Sequence, residues 1–289
     1  MMDEFGNDAY QEAVRSAVRL ALDEDRADED VTTRSVVPPG RRASGRVFFR
    51  KEGVLAGTRP FDETFRALGG GVEVRWSKRE GEEVAAGEAV CVLKGPADTL
   101  LRGERAALNF LMRLSGVATL TAAFVRAVEG TGVEILDTRK TTPGLRLLEK
   151  GAVRAGGGVN HRMDRSALAL IKENHIAVAG GITSAVNGVR KRFPGTPIEV
   201  EVENETELEE ALGLAVERVM LDNFDLPAIE SAMNRVRREE RPPYVELSGG
   251  VTLEKAAKAG RLGVSGISVG ALTHSAPAAD VSFLFRMEP

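Results

Sequence analysis

Apolar residues Ala13, Val14, Val18, Leu20, Ala21 and Leu22 form an approximate apolar face along residues 8–26, which predicts an amphipathic helix there. The period then shortens. RVFFR at 46–50 and GVLAG at 53–57 are brief apolar runs, VEVRW at 72–76 alternates, and FDETFRALG at 61–69 between them returns to helical spacing. The paired glycines and valines of EGEEVAAGEAVCVLKG at 80–95 read as a hairpin, and a helix is predicted over 99–114, carrying Arg102 and Arg105 into a second region.

From residue 133 onward strand, loop and helix repeat. The strands are VEILDTR (133–139), LALIKEN (168–174), IEVEVE (198–203), RVMLDN (218–223), YVELSGG (244–250) and GISVGA (266–271). Such alternation calls for a parallel sheet with crossover helices. Each segment is apolar where it begins and polar where it ends, and barrels of this kind keep their chemistry at the carboxyl ends of the strands. Six strands rather than eight predict an irregular, incomplete α/β barrel, with a doubly wound open sheet as the second choice.

Composition sets the frame around this pattern. With 289 residues and 43% hydrophobic content the chain can fill a sizeable core. The opening residues are polar and acidic where a secretory leader would be basic and then apolar, and no long apolar run occurs, so a cytoplasmic protein without a membrane span is expected. Cys91 is the single cysteine and its neighbours Val90 and Val92 make it strand filling. The net charge of −4 argues against a nucleic-acid surface. Locally the charge divides. Eight basic residues face three acidic ones between Asp137 and Lys172, whereas ten acidic residues face Arg218 alone between Glu199 and Asp225, a division suited to a small polyanion beside a metal.

Candidate chemistry gathers at the strand ends. DTRKTTPG brings Arg139 and Lys140, RAGGGVNHR brings His161 and Arg162, and Lys172 ends the next strand. Arginine forks bind carboxylates through two hydrogen bonds and lysine adds a point charge, so this set suits a dicarboxylate next to a diphosphate. In IEVEVE, Glu199, Glu201 and Glu203 share one face of a strand; with Asp222 they offer oxygen ligands of the kind that hold Mg²⁺ alongside substrate phosphates. Ser248, Gly249 and Gly250, then Gly270 and His274, follow the last two strands, where exposed backbone N–H groups suit a phosphate. The histidines His161, His175 and His274 have no zinc spacing.

In this order, DTRKTTPGLRLLEKGAVRAGGGVNHR, ALIKENHI, EVEVEN, MLDNF, ELSGG and VGALTHS closely resemble the quinolinate phosphoribosyltransferase family, over a stretch from about Leu22 to Ser275. The resemblance implies an amino-terminal α/β sandwich domain, residues 1–114 joined by the tail 276–289, followed by an irregular α/β barrel over 115–275. It implies transfer of a phosphoribosyl group from phosphoribosyl pyrophosphate to quinolinate, with loss of carbon dioxide, in NAD synthesis. It further implies Mg²⁺ dependence and a homodimer with shared active sites. Arg139, Lys140, His161, Arg162 and Lys172 would line the quinolinate pocket with Arg105 of a second subunit; Glu201 and Asp222 would hold ribose hydroxyls and metal; Ser248, Gly249, Gly250 and Gly270 would cradle the 5′-phosphate.

Three positions depart from the family pattern: Leu247 before SGG, MDRSA at 163–167, and the missing glycine before Asp-Val-Thr-Thr at 30–33. Other readings compete on particular residues. Lys172 as a Schiff-base lysine would need an apolar pocket, which the charged strand ends do not offer. A regulator or carrier module built on the 80–95 hairpin, which is similar to biotinyl and lipoyl carriers, lacks a lysine at its tip, Ala85, Ala86 and Gly87. A relative acting on nicotinate is the nearest enzymatic alternative.

Overall fold

A computed structural model describes residues 7–288. The first residues of the polar amino-terminal run, and Pro289 of the tail, lie outside that range. In chain order the elements are helices α1 (Asn7–Glu24) and α2 (Val31–Val36), strands β1 (Arg42–Phe49) and β2 (Gly53–Val54), helix α3 (Thr58–Ala67), strands β3 (Glu73–Trp76), β4 (Glu83–Val84) and β5 (Ala89–Pro96), and helix α4 (Ala97–Ala127). Then come β6 (Glu134–Leu136), α5 (Arg146–Ala155), β7 (Ala169–Ile171), α6 (Glu173–Ala179), α7 (Ile182–Arg192), β8 (Ile198–Val202), α8 (Glu205–Gly213) and β9 (Arg218–Asp222). The chain continues with α9 (Leu226–Val236), β10 (Tyr244–Ser248), α10 (Leu253–Gly260), β11 (Gly266–Ser268), α11 (Ala271–His274) and β12 (Val281–Met287).

Two compact units emerge. One runs to Ala122 and takes in Thr141–Gly157 and the chain from Leu272; the other comprises Ala123–Lys140 and Gly158–Ala271. These boundaries differ from the division at 114 and 275 drawn from sequence, and the reason lies in α4 and α5. Ser115 and Gly116 do not end α4, because Gly116 is where the helix meets the tail: a Cβ there would lie 2.1 Å from the Pro277 carbonyl oxygen. α5 packs within the first unit, with Gly151 beside the Tyr10 ring and Gly156 beside the Ala118 carbonyl.

The first unit carries an antiparallel sheet in the order β12-β1-β5-β3. Strand β1 alternates, with Ala43, Val47 and Phe49 buried, and helices α3 and α4 supply Phe61, Phe65, Leu100 and Leu111 to the same core. Cys91 is buried in that core, and burial raises its thiol well above the ordinary value, so it is filling, as read from sequence. The hairpin expected at 80–95 is a different structure. The turn exists, with Glu88 N–H bonded to the Ala85 carbonyl, but β4 pairs with β2 and β5 with β1 and β3. α4 contains an 18-residue window apolar enough to cross a bilayer by composition, and 56% of it is buried within the structure, as in a core helix.

The second unit is a six-stranded parallel sheet in the order β6-β11-β10-β9-β8-β7, each strand falling inside a segment expected from sequence. Leu136 of β6 also bridges Val159 in parallel, and the Arg162 guanidinium donates to the Leu168 carbonyl at 2.7 Å just before β7. The segment 159–168 thus spans from β6 toward β7 without being a strand, which gives the irregular barrel expected from six strands.

The α4 contact yields a stability test. Gly116→Ala should destabilise the protein by roughly 1–3 kcal/mol through overpacking, while Gly188→Ala on α7, where nothing lies within 4 Å of the added Cβ, should raise stability by up to about 1 kcal/mol. Urea denaturation of the two variants measures both signs.

Candidate active site

Alternation along the parallel strands sorts their side chains onto two faces. Val200, Val202, Val219, Leu221, Val245, Leu247 and Ile267 are almost wholly buried on one face, the face of the covering helices. Leu247, a departure from the family pattern, therefore packs under the helices and points away from Ser248. The opposite face is largely polar on β8, β9 and β10. Register aligns Glu199 with Arg218 and Tyr244, then Glu201 with Met220 and Glu246, then Asp222 with Ser248.

Glu199 and Glu246 are fully buried, which an unpaired carboxylate could not sustain. Arg218 lies between them, with Nε 3.3 Å from Glu199 and Nη2 2.8 Å from Glu246. His161 Nε2 is 3.2 Å from a carboxylate oxygen of each. The guanidinium stacks on the Tyr244 ring at 4.0 Å, and the Tyr244 hydroxyl donates to Glu134 at 2.7 Å. Among the described residues, His161, Glu199 and Glu246 have ligand atoms within 4.8 Å of one another, as a metal site would require. Arg218 already supplies the counter-charge to both carboxylates, so the group is an ion cluster.

The chain entering this cluster is fixed from its main chain too. Buried Asp137 at the end of β6 accepts from Asn160 Nδ2 at 2.5 Å and from the His161 backbone N–H at 2.9 Å. On the ring, Nδ1 of the neutral form accepts the Arg162 backbone N–H at 2.7 Å, so that form carries its proton on Nε2, facing the two carboxylates. Burial pushes the ring's pKa down, but the two carboxylates overcome it and raise it to about 9. Burial and the neighbouring Arg139 lower the Arg162 pKa, and Glu199 opposes them.

Above the cluster stand the strand-end residues. Lys172 Nζ forms an ion pair with Glu201, whose side chain is 12% exposed. Asp222 follows on the same face, one pleat beyond the register partner of Glu201, and accepts from Asn223 Nδ2 at 2.8 Å. Ser248 is its register partner on β10, and the next residue, Gly249, has φ +84°. A Cβ on Gly249 would lie 2.2 Å from Asn223 Oδ1, so the two loops interlock only with glycine there. Gly250 and Gly270 flank the ends of β10 and β11, and Arg139 and Lys140 follow β6.

Arg105 and His274 belong to the first unit. Arg105 is exposed on α4, and His274 Nδ1 lies 2.5 Å from the Ser275 hydroxyl. His175 acts locally, where its Nδ1 accepts the Lys172 backbone N–H at 3.0 Å and caps α6. Glu203, expected beside Glu199 and Glu201, is exposed beyond the strand, where its backbone N–H donates to Glu207. The charge division is partly a helical matter. Arg146, Lys150 and Arg154 ride on α5 in the first unit, and Glu205, Glu207, Glu209 and Glu210 ride on α8, two of them in its first turn where the helix dipole favours acids.

Sequence reasoning passes over Glu246, although its place two residues before Ser248 puts it on the same face. It also passes over Arg113 and Glu149 in the first unit. Buried Glu149 accepts from Arg113 Nη2 at 2.8 Å, Thr142 N–H at 2.9 Å and Thr142 Oγ1 at 2.7 Å, while Arg113 donates to the carbonyls of Thr273 and Ala276. No local signal announces a pair 36 residues apart.

Comparisons with known proteins extend over nearly the whole chain. Residues 30–115 match the family model for the quinolinate phosphoribosyl transferase N-terminal domain, and residues 117–284 match that for the C-terminal domain. A nicotinate-nucleotide pyrophosphorylase [carboxylating] of Mycobacterium leprae is 41% identical over 282 residues, 95% of this chain and 98% of its own. A quinolinate phosphoribosyltransferase [decarboxylating] of Nicotiana tabacum is 37% identical over 95% of this chain and 83% of its own. The solved structure of the nicotinate-nucleotide pyrophosphorylase from Francisella tularensis superposes with a TM-score of 0.90 at 36% identity, covering 96% of this chain and 97% of that one.

The raised pKa of His161 has a sign that can be measured. Its folded value of about 9 lies above the ordinary 6.5, so the ring contributes stability that is complete below about pH 6.5 and is lost as pH rises through about 9. Melting temperature should fall across that window in the wild type and fall less in His161→Gln. Parallel curves would assign the pH dependence to other groups.

Proposed function

Because the chain belongs to the quinolinate phosphoribosyltransferase family, we infer that it converts quinolinate and phosphoribosyl pyrophosphate to nicotinate mononucleotide, pyrophosphate and carbon dioxide, a step of NAD biosynthesis. The observation that carries this reading to particular residues is the cationic set Arg139, Lys140, Arg162 and Lys172 at the strand ends, above carboxylates already matched by Arg218 and His161. A dicarboxylate supplies the charge such a set calls for. The pyridine nitrogen attacks the anomeric carbon as its bond to pyrophosphate breaks. The resulting cationic ring then takes up the electron pair left when the adjacent carboxylate departs as carbon dioxide, and a proton replaces it.

Glu201 and Asp222 lie beside the ribose in this reading, where negative charge offsets an oxocarbenium-like sugar carbon. Their hard oxygen donors, on one face and one pleat apart, also suit Mg²⁺, with Lys172 sharing Glu201. When bound, Mg²⁺ supplies charge stabilisation to the pyrophosphate oxygens. Ser248, Gly249, Gly250 and Gly270 offer backbone and hydroxyl donors to the 5′-phosphate, with His274 nearby in sequence. The protein works as a cytoplasmic homodimer, and exposed Arg105 completes the carboxylate clamp of the partner's site.

Two experiments test this. Turnover with quinolinate should exceed that with nicotinate by at least about 100-fold, since the smaller acid forfeits the contacts of a second carboxylate. It should cease with EDTA and return with Mg²⁺, and Arg139→Ala or Arg162→Ala should weaken quinolinate binding; comparable use of nicotinate would refute the assignment. For the shared site, inactive Arg105→Ala and Lys172→Ala subunits are mixed and allowed to exchange. About half the dimers become mixed and roughly a quarter of wild-type activity should return. Exchange shown by mass without recovered activity would place Arg105 outside the partner's site.

A further inference from the structure

We propose that Glu246, acting with Arg218 and Glu199, is a positioning residue for quinolinate recognition: it holds the His161 ring, and through the ring the backbone of Arg162, in the geometry that receives the substrate carboxylates. The proposal rests on the quinolinate reading above and adds residues that need not touch substrate.

Both ring nitrogens of His161 are engaged within the protein. Nε2 lies 3.2 Å from Glu199 and from Glu246, Nδ1 takes the Arg162 N–H at 2.7 Å, and the side chain is only 7% exposed. A ring so occupied has no nitrogen left to offer a carboxylate without giving up one of these contacts. Its contribution is therefore to the placement of Arg162, whose own guanidinium is tied to the Leu168 carbonyl at 2.7 Å. The segment 160–162 is gripped from two sides, by Asp137 on the main chain and by the two carboxylates on the ring.

Glu246 bridges the two cations from β10, as Glu199 does from β8. It is wholly buried on β10 and engages both Arg218 on β9 and His161, while Glu199 on β8 engages the same two cations. The groups facing the ring are thus Glu199, Glu246 and Arg218, with Asp137 behind its backbone and Tyr244 behind Arg218. Neutralising Glu246 leaves Arg218 and His161 sharing one carboxylate, and the ring is free to turn toward Glu199 alone, withdrawing its Nδ1 from Arg162.

A core role alone predicts lower stability and nothing else, so the test reads position. In Glu246→Gln, calorimetry should show quinolinate affinity about ten-fold weaker, while the KM for phosphoribosyl pyrophosphate stays within about two-fold. With three histidines in the chain, the His161 ring ¹⁵N signals are assignable by substitution, and they should move in Glu246→Gln and stay close to wild type in Glu246→Asp, with quinolinate affinity partly restored. Unchanged ring signals and unchanged quinolinate affinity with a lowered melting temperature would overturn the proposal. If Glu246→Gln does not fold, Arg218→Lys serves with the same readouts, because a lysine cannot bridge the two carboxylates as a guanidinium does. If the wild type itself fails to bind quinolinate, the functional reading falls separately, and ring signals unmoved by the variants would still dispose of the positioning role.

Discussion

Two carboxylates with no access to water, Glu199 and Glu246, set the terms for the parallel sheet. Each would be intolerable in an apolar interior, and each is made tolerable by the same pair of cations, Arg218 and His161. The cost of burying such a cluster is high, and its contribution to net stability over an apolar core is small or negative. What it does contribute is direction. Guanidinium and imidazole hydrogen bonds fix angles that packed valines would leave free, and the residues so fixed stand directly beneath the strand ends that carry Arg139, Arg162 and Lys172.

The same logic recurs in the first unit with different residues. Glu149 is buried and takes hydrogen bonds from Arg113 and Thr142, and Arg113 also holds the carbonyls of Thr273 and Ala276. Thr142 and the segment Thr273–Ala276 are thereby each anchored within that unit. Neither anchor relies on a loop's own propensity, which is weak through TTPG and through HSAP.

Local pattern is legible where burial is one-sided. Strands 198–202, 218–222 and 244–248 carry apolar residues on the helix-facing side and mostly polar ones opposite, and all six parallel strands are visible as segments in the sequence. The stretch at 80–95 reads as a self-paired hairpin because its glycines and valines report a turn, whereas the partners of β4 and β5 are set by β2, β1 and β3, a non-local matter. α4 runs on past residue 114, where the predicted helix stops, and Gly116 within it is glycine because the carbonyl of Pro277, far along the chain, sits against it. Of the site residues, the cations in DTRK and NHR are legible as chemistry, but the occupation of both His161 nitrogens is not, since it depends on Glu246, a lone glutamate in YVELS. Alternation groups Glu203 with its strand neighbours, and it falls outside because β8 ends at Val202.

Charge placement explains why a cation-rich mouth can remain open to a dicarboxylate. If Glu199 and Glu246 reached the strand ends, they would neutralise Arg139 and Arg162 and compete with any carboxylate that arrived. Arg218 and His161 prevent this by matching both glutamates one or two pleats below. Some of the field still leaks upward: Glu199 acts on Arg162 through space and resists the lowering of its pKa by burial and by Arg139. Glu201 is paired with Lys172 at the mouth itself. A substrate with a single carboxylate would balance part of the mouth's positive charge, and one with two adjacent carboxylates would balance more of it, with the second also placed for departure once the ring nitrogen carries positive charge. In the proposed reading, selectivity would rest on the floor as much as on the cations above it.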